Sequence, residues 1–257
     1  MCIRDSYNNV NLEALTILFM ILASLPFVLY LKAIRGKPKD LIRDQQVQGF
    51  FKILVISILI VVFYLFITSN FTFSEILRYS LFNVTSILTG TGFTSTNYND
   101  WGTPIILLFL FITFIGGCAG STTCGVKIFR LQIVFNNSKE MISKLISPNR
   151  VVNKRYNGEH LSPEITQSVI TFLFIFILTF IVLSILLSFT GLDLLTAFSA
   201  AATSISNVGP GLGQVIGPAY SFSQIPEIAK WLLSFGMLAG RLEFLTLIVI
   251  FNKSFWR

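Results

Sequence analysis

The chain has few charged residues and almost none of the residues that build metal or disulfide sites. Only 12% of its 257 residues are charged, 53% are hydrophobic, and the mean hydropathy is +0.74. This composition excludes an ordinary soluble domain and indicates a protein that crosses the lipid bilayer several times. Three cysteines cannot form a disulfide framework, and Cys118 and Cys124 lack zinc-binding spacing. With His160 as the only histidine, in a charged loop, we predict no metal site. The chain also lacks the hydrolase motif G-x-S-x-G, and we predict that it is not an enzyme.

Five apolar runs are long enough to cross a hydrocarbon core, which takes about 20 residues. They occupy residues 12–31, 50–68, 104–129 (with a glycine-rich break), 166–189 and 228–251. Pro26 predicts a kink in the first run. Residues 1–6 have no long apolar stretch of their own, so we predict no signal peptide. We set this hexapeptide aside as a segment that could be foreign to the native chain. The predicted divisions are 1–49 (one helix and a cytoplasmic linker), 50–135 (a first pore unit), 136–165 (a cytoplasmic loop) and 166–257 (a second pore unit).

The basic residues are concentrated in three segments. Fifteen of the 19 lysines and arginines lie in residues 32–52, 127–155 and 253–257, whereas residues 94–104 and 211–226 contain none. A net charge of +7 is compatible with nucleic-acid binding, but a nucleic-acid surface would not alternate in step with apolar runs. The alternation is typical of the positive-inside rule. It predicts that the basic segments are cytoplasmic and that the segments without basic residues face outward.

Two similar glycine turns lie 117 residues apart, and each follows a short, partly polar helix predicted at residues 73–88 and 192–204. Non-helical backbone inside a bilayer is tolerated only where it lines a cavity or is buried in protein. Re-entrant segments that turn at glycine build ion pathways lined by backbone carbonyls. We therefore predict a filter in which the two turns face each other across a pore. Matched spacing disfavours the alternative that they merely connect helices. The predicted filter residues are Thr89, Gly90, Thr91, Gly92, Ser206, Asn207, Val208 and Gly209.

A glycine-rich break interrupts the third apolar run, and the repeat predicts a second interruption at residues 236–240. Val126 separates the last glycine of the break from Lys127, which excludes a phosphate-binding P-loop. Unwound chain inside an ion pathway is positioned to act as a gate. Arg241, in the last apolar run, must find acceptors, and the carbonyls of the break are suited to its five donors. A purely structural arginine is the alternative. The predicted gate residues are Gly116, Gly117, Gly120, Ser121, Gly125 and Arg241.

Four stretches, residues 89–96, 114–130, 207–213 and 237–244, resemble the Trk/Ktr/HKT potassium transporters, most closely the TrkH-type membrane subunit. That family has four repeats of helix, pore helix, filter and helix. The chain looks like the last helix of the second repeat followed by the third and fourth repeats, so we expect a fragment with two of four filter strands.

The resemblance implies an all-α polytopic membrane protein that takes up potassium across the bacterial inner membrane. It implies K⁺ as the permeant ion, no cofactor, a homodimer and a cytosolic nucleotide-binding regulatory subunit that is TrkA-like, with no nucleic-acid partner. Thr123 and Cys124 stand where the family commonly has glycine, which predicts a stiffer loop. A sodium-conducting or sodium-coupled member of the superfamily and a non-transporting membrane scaffold are the alternatives.

Overall fold

The computed structural model describes residues 9–147, 155–242, 249 and 253–256. Its described part is helical apart from one small hairpin, in agreement with the all-α expectation. The helices are α1 Val10–Ser24, α2 Phe27–Ile34, α3 Lys39–Arg43, α4 Gln45–Thr68, α5 Phe73–Leu88, α6 Thr103–Phe114, α7 Ile128–Ile146, α8 Pro163–Phe189, α9 Leu194–Ser206 and α10 Glu227–Arg241. The hairpin pairs β1 Arg155–Tyr156 with β2 Glu159–His160, and short 3-10 helices lie at Tyr98–Trp101, Phe222–Gln224 and Lys253–Trp256.

Within the part of the chain that the structure describes, two helices, α4 and α8, are long and apolar enough to cross a membrane. Helices α1 and α2 qualify only as a pair, and they meet at an angle of 95°. The predicted kink at Pro26 is a complete break, because Leu25 and Pro26 are extended and separate two helices. A single crossing over residues 12–31 stays a prediction. Proline breaks the helix because it lacks an amide donor and its ring clashes with the preceding turn.

The other predicted crossings are shorter in the described residues. Helix α6 has 12 residues and α10 has 15. Residues 243–248 and 250–252, which include part of the fifth apolar run and the end of the 237–244 stretch, lie outside the described residues, as do residues 1–8 with the opening hexapeptide.

Short helices α5 and α9 begin at polar caps and are buried near their C-terminal ends. The α5 cap is Thr72, whose amide donates to the Glu75 carboxylate at 2.9 Å, so the helix starts with a capping box. In α9, Asp193 accepts from the amide of Thr196 at 3.2 Å. The two short helices are buried because α5 packs against α4 and α1, and α9 packs between α8 and α10. The hydrophobic core accordingly has one main cluster around each short helix.

Helix α10 is continuous through Gly236 and Gly240, so the predicted interruption at residues 236–240 is wrong. The glycines allow close packing instead. A Cβ at Gly240 would overlap the carbonyl oxygen of Ile205 in α9, and one at Gly236 would overlap the hydroxyl of Ser204. The predicted cytoplasmic loop is also partly helical, because α7 extends to Ile146.

Candidate functional site

The two glycine turns follow the same backbone path. The amide of Thr91 donates to the carbonyl of Ser86 at 2.9 Å, and the amide of Val208 donates to that of Thr203 at 3.1 Å, with donors and acceptors 117 residues apart. Left-handed residues also match: Gly90 has φ 66° and Asn207 has φ 52°, while Gly92 has φ 75° and Gly209 has φ 120°. Asparagine is among the few residues with a side chain that adopt this conformation readily. A turn of one geometry therefore ends each short helix.

A buried polar side chain holds the segment that leaves each turn. Asn83 in α5 accepts from the amide of Ser95 at 3.2 Å, and Ser199 in α9 accepts from the amide of Leu212 at 3.0 Å. Ser95 and Leu212 are again 117 residues apart. The sequence analysis did not identify Asn83 or Ser199 as site residues, although buried polar residues within a short helix were the signal that could have found them.

The turns lie in direct contact with each other. A Cβ at Gly92 would overlap the carbonyl oxygen of Val208 and would come within 2.9 Å of the Pro210 side chain. At Gly209, the nearest atom to such a Cβ is the Cα of Gly92, at 4.0 Å. Turns in contact are neighbours around any pathway that they line, so the expectation that they face each other across a pore needs correction.

The glycine-rich segment between α6 and α7 is non-helical, as predicted. Its two ends are joined by hydrogen bonds from the amide of Gly116 to the carbonyl of Val126 at 3.0 Å, and from the amide of Val126 to the carbonyl of Phe114 at 2.8 Å. Gly120 and Gly125 are left-handed, each with φ 78°. We call residues 115–127 the gate loop, after the role that the sequence analysis predicts for this segment.

Hydroxyl groups shape the interior of the gate loop. Thr123 accepts from the amide of Gly117 at 2.9 Å, and its hydroxyl lies 2.8 Å from that of Ser121. Ser121 in turn donates to the carbonyl of Cys118 at 2.6 Å. Thr123 therefore adds contacts that a glycine would not make, and the stiffer loop stays a prediction.

Arg241, at the end of α10, reaches the gate loop as the sequence predicted. Its Nη1 donates to the carbonyl oxygen of Thr122 at 3.0 Å and to the sulfur of Cys124 at 3.1 Å. A cavity of about 130 Å³ lies beside this contact, and Lys127 and Arg130 also line it. The guanidinium of Arg130 is stacked 3.7 Å above the ring of Phe172. Three basic side chains thus surround one end of the loop.

The corner between α1 and α2 also binds the gate loop, which the sequence did not indicate. The amides of Cys118 and Thr122 donate to the carbonyls of Ser24 and Ala23, at 3.0 and 3.3 Å. The amide of Phe27 donates to the carbonyl of Gly120 at 3.1 Å. The break at Pro26 therefore exposes backbone groups, and the loop satisfies them.

An ion pair fixes the short helix α5 against α1. Arg78 binds Glu13 through two hydrogen bonds, from Nε to Oε2 at 2.6 Å and from Nη2 to Oε1 at 2.7 Å. The side chains are 22% and 13% exposed. A bidentate pair of this kind holds its partners in a defined orientation.

Comparison with known proteins identifies the family. The family TrkH, described as a cation transport protein, matches residues 5–257. The chain belongs to this family. TrkH is a family of transport proteins and not of enzymes, in line with the sequence analysis.

Two curated relatives carry names of potassium uptake proteins. The chain is 45% identical over 240 residues to the Trk system potassium uptake protein TrkI of Halomonas elongata, covering 93% of the chain and 49% of that relative. It is 35% identical over 257 residues to TrkH of Vibrio parahaemolyticus, covering 98% of the chain and 52% of that relative. The chain thus spans about half the length of the curated relatives it matches.

A solved structure has the same fold. The crystal structure of the potassium transporter TrkH from Vibrio parahaemolyticus superposes with a TM-score of 0.91 at 32% identity, covering 98% of the chain and 54% of that structure. The TrkH resemblance proposed from the four sequence stretches is confirmed, and so is the helical membrane-protein fold.

Proposed function

We propose that this chain forms part of a potassium uptake pathway in the bacterial inner membrane. The observation that carries the proposal is the matched pair of glycine turns, which have one geometry, end two buried short helices and touch each other. The family supports it, because the relatives are named as potassium uptake proteins.

The backbone carbonyls of residues 89–92 and 206–209 would replace the water around a potassium ion. The amides of Thr91 and Val208 donate to the carbonyls of Ser86 and Thr203 within the short helices, so these two bonds do not use the carbonyls of the turn residues. The C-terminal ends of α5 and α9 carry the negative ends of their helix dipoles at the same place. Both features favour a partly dehydrated cation.

Two pseudo-repeated pore units account for the matched geometry. In this proposal α4 to α7 form one unit and α8 to α10 the other, while α1 and α2 are the end of a preceding unit. The chain crosses the bilayer five times, its basic loops are cytoplasmic and its filter turns face the periplasm. Two turns are half of a four-turn filter, so a conducting assembly needs two more.

The gate loop would close the pathway below the filter. Arg241 and the α1–α2 corner hold the loop from two sides, and release of these contacts would let it move out of the path. The proposed partners are a second copy in a homodimer and a cytosolic nucleotide-binding regulatory subunit. The basic loop of residues 127–155 would help to dock that subunit.

A selectivity measurement on the complete transporter tests the filter. Gly209→Ser adds a side chain at φ 120° without overlapping the neighbouring turn, so it perturbs carbonyl geometry with less steric damage than Gly92→Ser. We expect reduced preference for K⁺ over Na⁺ in liposome flux assays. Gly36→Ser, at a left-handed glycine between α2 and α3 with no atom within 4 Å of an added Cβ, is the control.

Unchanged selectivity in a folded Gly209→Ser protein would exclude the filter assignment. A parent protein that prefers Na⁺ would favour the sodium-conducting alternative. Failure to restore growth of cells deficient in potassium uptake, together with absence of flux, would favour a scaffold.

A further inference from the structure

A third contact to the gate loop comes from the cytoplasmic end of α4. The side-chain oxygen of Gln46, in the first turn of α4, accepts from the amide of Ala119 at 2.8 Å. Ala119 lies in the middle of the loop, between the residues held by the α1–α2 corner. A loop amide at this depth needs an acceptor, because an unsatisfied amide in a poorly hydrated site is costly.

Gln46 is itself held in place by the cytoplasmic hairpin. Asp44 caps α4, accepting through Oδ1 from the amide of Gln46 at 2.8 Å and from that of Val47 at 3.2 Å. The other oxygen of Asp44 accepts from the Asn157 side chain at 2.8 Å. Asn157 also accepts from the amide of Gln45 at 3.0 Å. The hairpin tip thus binds both the cap residue and the first residue of α4.

A second set of contacts joins the same hairpin to α7 and α4. Tyr156 donates its hydroxyl proton to Gln132 at 2.6 Å, and Gln132 donates to the carbonyl of Gln45 at 2.7 Å. Burial raises the pKa of Tyr156 above its usual value, so the hydroxyl stays protonated and able to donate. At Gly49 a Cβ would overlap the side chain of Gln132, so α4 and α7 approach closely. The hairpin, α7 and the start of α4 therefore form one hydrogen-bonded unit.

We propose that Gln46 is a positioning residue for the gate loop. Asn157, at the tip of the hairpin, sets the position of Gln46. The inference rests on the proposed function, since it concerns the same gate. Movement of the hairpin shifts the cap of α4, and with it the acceptor for Ala119. A cytoplasmic event at the hairpin thereby reaches the loop by a route independent of Arg241.

Gln46→Leu in the complete transporter that contains this sequence removes the acceptor while keeping a side chain of similar size. Gln46→Glu keeps an oxygen that can accept from the Ala119 amide, so this variant should behave like the parent. Gln48→Leu is the matched control, because Gln48 lies on the same helix and bonds the Ile42 carbonyl at 3.1 Å instead of the gate loop. Hydrogen–deuterium exchange of the peptide covering residues 116–125 is the main measurement, with the alkylation rate of Cys124 as the second and thermal unfolding as the check on folding.

We expect Gln46→Leu to speed exchange at the loop and alkylation of Cys124 roughly two- to tenfold, the shift that loss of one neutral hydrogen bond gives. Asn157→Ala should produce part of this effect. In the Gln46→Leu background it should add little, because both substitutions act through one contact. Potassium flux should rise above that of the parent in Asn157→Ala and rise further in Gln46→Leu.

Loop exchange in a folded Gln46→Leu protein equal to the parent would overturn the inference, and so would full additivity of the two substitutions. Should Gln46→Leu fail to fold, faster loop exchange in Asn157→Ala supports the inference and unchanged exchange overturns it. Exchange and alkylation report on the loop whether or not ions flow. Failure of the proposed function, seen as absent flux in the parent, is therefore distinguishable from failure of this inference.

Discussion

Replacement of Arg241 by alanine tests whether the last helix latches the gate loop. The substitution removes the donor to the Thr122 carbonyl and to the Cys124 sulfur. Hydrogen bonds from charged groups contribute about 1.5–3 kcal/mol. The lower end applies here because Arg241 is exposed and sulfur is a weak acceptor. About 1.5 kcal/mol corresponds to roughly a tenfold shift from closed to open loop.

Potassium flux into liposomes containing the complete transporter is the assay, with thermal unfolding measured on the same preparation. We expect Arg241→Ala to raise flux several-fold with little change in the unfolding temperature. Arg241→Lys keeps the charge but loses the planar fork, so it should lie between the parent and the alanine variant. Lys230→Ala is the control, since this lysine on α10 donates to the carbonyl of Ser223 and not to the loop. Parental flux with intact folding, or outright loss of folding, would refute the latch.

Two further predictions concern how the short helices are held. Gly240→Ala places a methyl group against the Ile205 carbonyl, so α10 must move from α9 at a cost of about 1–3 kcal/mol, seen as a lower unfolding temperature. Ser234→Ala on the same helix should change little, and an equal loss in both variants would contradict the packing argument. Glu13→Gln leaves the largely buried Arg78 without its carboxylate and should destabilise the protein by more than the ~1 kcal/mol of an exposed pair. The double variant with Arg78→Gln should lose less than the sum of the single changes, and simple additivity would show that the pair is not coupled.

Local features could be predicted from the sequence because each has a local physical cause. The short helix α5 was predicted to its last residue, since polar residues mark its start and glycines mark its end. The glycine turn after α9 was found because it repeats the first one. The unwound gate loop was predicted from its glycine content, which lowers the cost of leaving the helix.

Features that depend on distant contacts could not be predicted in the same way. Glycine occurs both where a helix is unwound and where two helices pack closely. The sequence therefore did not show that α10 stays helical at the glycines that align with those of the gate loop. Glu13 and Arg78 are 65 residues apart, and no periodicity relates them. The corner at Pro26 is stabilised by amides nearly 100 residues further along the chain. Such pairings follow from the packed arrangement of helices, which the order of residues alone does not give.

The corner between α1 and α2 also bears on how the protein is assembled. A ribosome synthesises the chain from its N-terminus, so the carbonyls of Ala23 and Ser24 are present before the gate loop enters the bilayer. The loop amides of Cys118 and Thr122 then find acceptors on arrival instead of remaining unsatisfied in lipid. Arg241 is translated more than a hundred residues later. During biogenesis the loop can therefore bind the α1–α2 corner before Arg241 of α10 is available to bind it.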